Sequence, residues 1–240
     1  MKILEWLPRE SACDYARRVI LYNIVHLELA PGCEISSTKL SAALSLSRMP
    51  VREALAELSR LGLVDILPQR GSYIAKIDYE LIEESRFMRL VLEKAVAKLA
   101  CAGIQQEYLN AMEANLKEYR TIQAGDEDSD RALELDNEFH QLIYASVNKL
   151  WTYRRVKDQM VHFDRLRTLA MSSVVTKAED TLKDHEDILY AVARHDDEMV
   201  EMLVTRHLSR YQLEIEDIMN QYPDYFVKRN KDSGHLSLQN

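Results

Sequence analysis

Apolar residues recur every three or four positions along most of this chain, the period of amphipathic helices. Over residues 11–29 the stripe is Ala12, Ala16, Val19/Ile20, Ile24 and Leu27, ending before Pro31-Gly32. A short second helix follows Ser36 and Ser37, with Leu40, Ala43 and Leu44 inward. A third opens at Ser47, carries Pro50 in its first turn, and turns Val51, Ala54/Leu55, Leu58 and Leu61 inward until Gly62 stops it. The period then changes. Residues 63–67 and 72–77 read as strands around a hairpin tip, Pro68-Gln69-Arg70-Gly71. From residue 78 the helical period returns, in six segments at about 78–103, 105–123, 129–146, 150–171, 177–194 and 196–221. Gly125-Asp126-Glu127-Asp128 separates the second from the third, Asn148 ends the third, and His195 stands between the last two. The tail from Pro223 reads as frayed.

This pattern predicts a mostly α fold. Three helices and a hairpin within eighty residues form a winged helix-turn-helix at 1–77, followed by an antiparallel all-helical bundle at 78–222 and a disordered tail at 223–240. In the winged plan the third helix enters the DNA major groove by its N-terminal end. Arg48 and Arg52 lie there, four apart on one face, where guanidinium forks read guanine or clamp phosphate. An ordinary solvated arginine face would look the same.

Four polar residues sit on apolar stripes of the bundle. Asp136 and His140 share a face with Leu133, Ile143 and Val147; His185 lies among Leu182, Ile188 and Val192; His207 lies among Leu203, Tyr211 and Ile215. A buried charge without a partner costs several kcal/mol, roughly. One divalent metal shared by all four would relieve that cost, and one carboxylate with three imidazoles suits Zn, Ni, Mn or Fe. Separately hydrogen-bonded core histidines are the plainer alternative.

Charge sharpens the division of labour. Residues 1–76 carry ten Lys/Arg and eight Asp/Glu, a net +2, whereas the rest carries −10. An acidic body under a slightly basic head fits a DNA-binding module on a sensor domain. Three cysteines, Cys13, Cys33 and Cys101, form neither a disulfide framework nor a metal spacing. No apolar run approaches a membrane span, and the first residues do not form a signal peptide, so the expectation is a cytoplasmic protein without membrane partners.

The segment Ser47-Arg48-Met49-Pro50-Val51-Arg52-Glu53-Ala54-Leu55, with Leu61-Gly62-Leu63-Val64 and Arg70-Gly71, resembles the DNA-binding domain of GntR-superfamily transcription regulators. The resemblance implies DNA contacts from Thr38, Lys39, Ser47, Arg48, Met49 and Arg52, with the wing tip Arg70-Gly71 at the adjacent minor groove. Met49 replaces a usual Thr, Thr38 stands where a basic residue is common, and Ser45 takes the place of a turn glycine.

Further along, Arg89-x-x-Leu92-Glu93, Asp136-x-x-Phe139-His140-x-x-Ile143, His185-x-x-Ile188-Leu189 and Leu203-x3-His207-Leu208 resemble the C-terminal (FCD-type) domain of the FadR branch. The six predicted helices match its shorter, VanR-like subgroup. That resemblance implies that Asp136, His140, His185 and His207 hold a divalent metal, and that an effector carboxylate binds beside it. Arg89 would grip that carboxylate, unless it only pairs with Glu93 one turn away; Arg165, Arg167 and His162 are further pocket candidates.

The expected function is a homodimeric repressor on a pseudo-palindromic double-stranded operator, modulated by a small organic acid. Two alternatives stand beside it: a metal sensor in which the ion itself is the signal, and a metal-dependent hydrolase. Against the hydrolase, no further carboxylate stands out as a general base, and the head would have no purpose.

Overall fold

The computed structural model describes residues 1–122, 126–173, 177–213 and 215–227. Helix α1 (Ala12–Val25) starts at Ser11, whose hydroxyl accepts the Asp14 amide at 3.1 Å. It buries Tyr15, Val19, Ile20 and Ile24 against Val51, Leu55 and Leu58 of α3 (Arg48–Arg60), with α2 (Ser37–Leu44) alongside. Strands β1 (Glu34–Ile35), β2 (Val64–Leu67) and β3 (Gly71–Ile74) form an antiparallel sheet in the order β1-β3-β2. Val64 pairs with Ile74, and Leu67 with Gly71. The head is therefore a winged helix-turn-helix. Two-residue β1 escapes a sequence reading because it is too short to show alternation, and β3 ends before the expected residue 77, where Ala75–Asp78 lead into the body.

Helix ends set the corners. Ser45, Gly62, Asn148 and His195 all have left-handed backbones, with φ of 55°, 70°, 58° and 60°. In each case the next amide reaches back to a carbonyl five residues earlier: Leu46 to Ser41, Leu63 to Leu58, Lys149 to Tyr144, and Asp196 to Ala191, at 2.8–3.0 Å. That bond satisfies a carbonyl that the ended helix leaves open.

The body contains α4 (Tyr79–Gly103), α5 (Gln106–Tyr119), α6 (Asp126–Ser146), α7 (Leu150–Gln159), α8 (Val161–Ser173), α9 (Lys177–Ala193), α10 (Asp197–Ser209) and α11 (Ile215–Gln221). The expected six helices become eight among the described residues, because two are broken. The fourth divides at Met160, where Ser85 Oγ donates to the Gln159 carbonyl at 2.8 Å. The sixth passes through a 3-10 turn at Arg210–Leu213, where Arg210 forks onto the buried Asp184 carboxylate at 2.8–3.0 Å. Asp126–Asp128, expected as loop, already belong to α6; Gly125 lies outside the described residues.

The frayed tail also needs correction at its start. Phe226 is buried and bridges to Ile77, Ile77 N–H donates to Tyr225 O at 2.8 Å, and Val227 N–H donates to Ile77 O at 2.9 Å. Apolar burial fixes this stretch, since Phe226 packs with Ile77, Ile82 and Phe163. Residues 228–240, with the rest of the expected tail, lie outside the described residues. Among the described residues, no helix is long and apolar enough to cross a membrane.

Candidate metal centre and DNA-facing surface

Asp136 and His140 project from one face of α6, His185 from α9 and His207 from α10, and their ligand atoms lie within 4.8 Å of one another. Asp136, His140 and His185 are buried. The three Nε2 atoms converge: His140 to His207 is 3.2 Å and His185 to His207 is 3.3 Å. Asp136 Oδ1 lies 3.5 Å from His185 Nε2.

Outer carboxylates fix which ring nitrogen faces inward. Glu93 Oε2 lies 2.8 Å from His140 Nδ1, and Asp184 Oδ2 lies 3.5 Å from His207 Nδ1. Each carboxylate favours a proton on Nδ1 and so leaves Nε2 with a bare lone pair. The inward nitrogens of His140 and His207, 3.2 Å apart, would then repel one another unless a cation stood between them. Ligands at about 2.1 Å from one ion are separated by roughly 3.0–3.4 Å, for octahedral and tetrahedral angles. The two histidine separations fit that range, and Asp136 stands just outside it at 3.5–3.9 Å from the Nε2 atoms, so a small inward movement of its carboxylate lets the residues fit a divalent metal. Phe139 stacks on His185 at a centroid distance of 4.1 Å, which holds the third ring.

The protonation states suit a metal too. Burial lowers the pKa of His140 despite the opposing pull of Glu93, and burial together with His207 holds His185 well below its usual range. Both rings are therefore neutral and able to ligate. Burial opposes ionisation of Asp136, but the permanent charges around it, Arg167 foremost and Arg89 with it, outweigh that cost and hold the carboxyl well below its usual range. Burial likewise works against Glu93, yet Arg89 and His140 bring it down to about 2.

The predicted effector residues separate into two places. Arg89 is buried beside the metal group, with Nε donating to Glu93 at 2.6 Å and Nη2 3.8 Å from Asp136. Arg167 is also there: its Nη2 forms an ion pair with Asp136, and its Nη1 donates to Asn137 Oδ1 at 3.1 Å and Asp164 Oδ1 at 2.9 Å. Arg165 and His162 are not there. Arg165 is fully buried against the head, donating to Ala75 O at 2.6 Å, and His162 Nε2 bonds Leu61 O at 2.9 Å. Helical geometry explains the split, since residues two apart face nearly opposite sides of α8. Sequence reasoning did not identify Glu93 and Asp184 as outer partners, nor Tyr153 and Lys157 of α7, which line the narrow space beside Arg89 and His140. Only three-dimensional packing reveals them, because on a helical wheel each resembles a solvated polar position.

On the head, Thr38, Lys39, Ser47, Arg48, Met49, Arg52, Arg70 and Gly71 are all exposed. Ser47 begins α3 without a side-chain capping bond, and Arg48, Met49 and Arg52 follow in its first turns. Arg70 and Gly71 stand at the tip of the β2–β3 hairpin.

Comparison with known proteins agrees with this architecture. Residues 17–74 match the family described as bacterial regulatory proteins, gntR family, and residues 84–210 match the FCD domain. The chain is 32% identical over 219 residues to the HTH-type transcriptional repressor RspR of Escherichia coli K12, covering 91% of this chain and 95% of that protein. It is 28% identical over 220 residues to the HTH-type transcriptional regulator LutR of Bacillus subtilis, covering 81% and 95%. Among solved structures, E. coli McbR/YncC shares the fold with a TM-score of 0.70 at 17% identity, covering 89% of this chain and 99% of that one. A regulator from Rhodococcus sp. RHA1 does so with a TM-score of 0.69 at 22% identity, covering 87% and 99%.

Proposed function

The chain belongs to the gntR family of bacterial transcription regulators, with an FCD domain as its body, and on that premise we propose a homodimeric repressor whose operator binding responds to a small carboxylate at a buried metal ion. It is a DNA-binding regulator and not an enzyme. The observation that carries the metal reading is the convergence of three histidine Nε2 atoms on one carboxylate, with Nδ1 of His140 and of His207 facing an outer carboxylate. Asp136, His140, His185 and His207 hold the ion, and when bound it supplies a Lewis-acidic centre with coordination positions left for an anion.

Charge supports the carboxylate. Around the group, Arg89, Arg167 and Lys157 face Glu93, Asp136 and Asp164 in one connected network. Three cations balance three anions, so a divalent ion adds a positive charge that an organic acid offsets. Arg89 and Arg167 supply the guanidinium forks for its free oxygens. Arg48, Arg52, Thr38, Lys39, Ser47 and Met49 meet the major groove, and Arg70 and Gly71 meet the minor groove. A two-fold dimer then reads a pseudo-palindrome.

The experiment is an operator titration at fixed salt, with chelator-treated and metal-loaded protein, against a series of organic acids. Release of operator by a carboxylate only when metal is present is the expected result, and Arg89→Lys should raise the concentration of acid required. Release by metal alone, with no acid active, would replace this reading with the metal-sensor alternative. An operator affinity indifferent to metal and to every acid would sink both.

A further inference from the structure

Helices α6 and α8 of the body both bond to the head, and the same two are tied together at the Asp136 group. On α8, Val161 is buried in the core of the head, His162 bonds Leu61 O where α3 ends, and Arg165 bonds Ala75 O where the chain leaves the wing. On its opposite face, Arg167 holds Asp136 and Asn137 of α6. Six residues before Asp136, Asp130 of α6 accepts the Tyr22 hydroxyl at 2.6 Å and pairs with His26, both on the head side. Head, α8, metal group and α6 thus form one closed circuit of named contacts.

We infer that Arg167 is the positioning residue through which the metal group sets the placement of the DNA-binding head. The inference rests on the metal reading above. Asp136 turns Oδ1 toward His185 and His207 and Oδ2 toward Arg167, so an ion and the guanidinium would draw on opposite oxygens of one carboxylate. An ion ligated by Asp136 needs its carboxylate oxygen at about 2.0–2.2 Å, which brings two positive charges up to the guanidinium now paired with it. That repulsion weakens the Arg167–Asp136 pair and leaves Asn137 as the other bond from Arg167 to α6 among the described residues, since Asp164 lies on its own helix. The α6–α8 clamp loosens on one side of α8 while the other side stays anchored to the head.

Arg165 transmits the shift. It is fully buried, it donates to Ala75 O, and among the described residues its Nε and Nη1 have no partner. Since Arg165 is part of α8 and bonds Ala75 O, a movement of α8 is carried to the base of the wing. Coupling of this kind is reciprocal: if the ion alters operator affinity, operator alters ion affinity by the same factor.

The test uses the full chain, with zinc as the probe after chelator treatment. Zinc should change wild-type operator affinity by about tenfold, and should change hydrogen exchange of the backbone at residues 61–64 and 75–77. Arg167→Gln should bind zinc about tenfold more tightly, because no cation competes for Asp136, yet its operator affinity should no longer follow zinc. Arg165→Gln should bind zinc like wild type and also lose the operator response, a split that a general loss of structure would not give. Arg167→Lys keeps the charge and should restore the weaker zinc binding. If both glutamine variants follow zinc as wild type does, the coupling runs elsewhere and this inference fails while the metal reading stands. The wild-type exchange measurement needs no variant to fold: zinc binding that leaves both backbone segments unchanged overturns the inference as well. A wild type that binds no zinc overturns both readings.

Discussion

Glu93 lies between Arg89 and His140, two residues that the sequence presents as unrelated. It accepts Arg89 Nε at 2.6 Å within α4 and meets His140 Nδ1 at 2.8 Å across to α6. The first contact was legible, because residues four apart on a helix are neighbours. The second was not, because nothing in periodicity says which helix α4 faces. The convergence of the four candidate ligands was foreshadowed, since a histidine on an apolar stripe conflicts with its surroundings. Glu93 and Asp184 do not stand out that way, since each adjoins other charged residues. Both should nevertheless matter to the ion. Glu93→Gln and Asp184→Asn leave all four ligands in place, yet each should weaken metal binding roughly 10- to 100-fold. Glu93→Gln also removes the nearer of the two buried carboxylates beside Arg89, leaving Asp136 at 3.8 Å, and should cost up to about 3 kcal/mol in stability. Chelator competition measures the first effect and urea unfolding the second. Wild-type metal affinity in both variants would mean that packing, such as Phe139 on His185, orients the rings unaided.

At the scale of elements, helix starts and stops were read well where the cause is local. Ser47 begins α3 and Gly62 ends it, as the sequence suggests, and Ser45 holds the left-handed turn that a glycine would take more easily. Breaks with distant causes were missed: α7 ends at Gln159 where Ser85, 74 residues earlier, takes its carbonyl. The left-handed stops allow a paired test. A non-glycine residue there costs roughly 1–2 kcal/mol, so Ser45→Gly should stabilise the protein by about 1 kcal/mol once the extra freedom of the unfolded glycine is set against it. His195→Gly relieves the same strain but loses the His195 Nδ1 bond to Cys101 O at 2.7 Å, worth about 1 kcal/mol, and should come out near neutral. Urea midpoints compare them. A Ser45→Gly variant no more stable than wild type would show that this turn carries no strain.

At the scale of the whole molecule, the division into a slightly basic head and an acidic body was visible in composition, but its geometry was not. The sequence could not show that α8 inserts Val161 into the head's core, nor that Arg165 and His162 belong to that junction and not to the effector pocket. The exposure of the candidate DNA contacts was more legible, because they are placed by one short helix and one hairpin rather than by long-range packing. Arg48 and Arg52 sit four apart and exposed near the start of α3. Neither contributes to the core, so Arg48→Ala and Arg52→Ala should leave the unfolding midpoint where it is. Each should cost about 1–3 kcal/mol of operator binding if it forks onto a base edge. A phosphate contact behaves differently: its loss weakens binding to all sequences alike and flattens the dependence on salt. Titrating operator and a scrambled duplex at several salt concentrations therefore separates the two roles for each arginine. A double variant that binds operator as wild type does at every salt concentration would remove α3 from the groove. Lys39 and the wing would then be left as the DNA contacts.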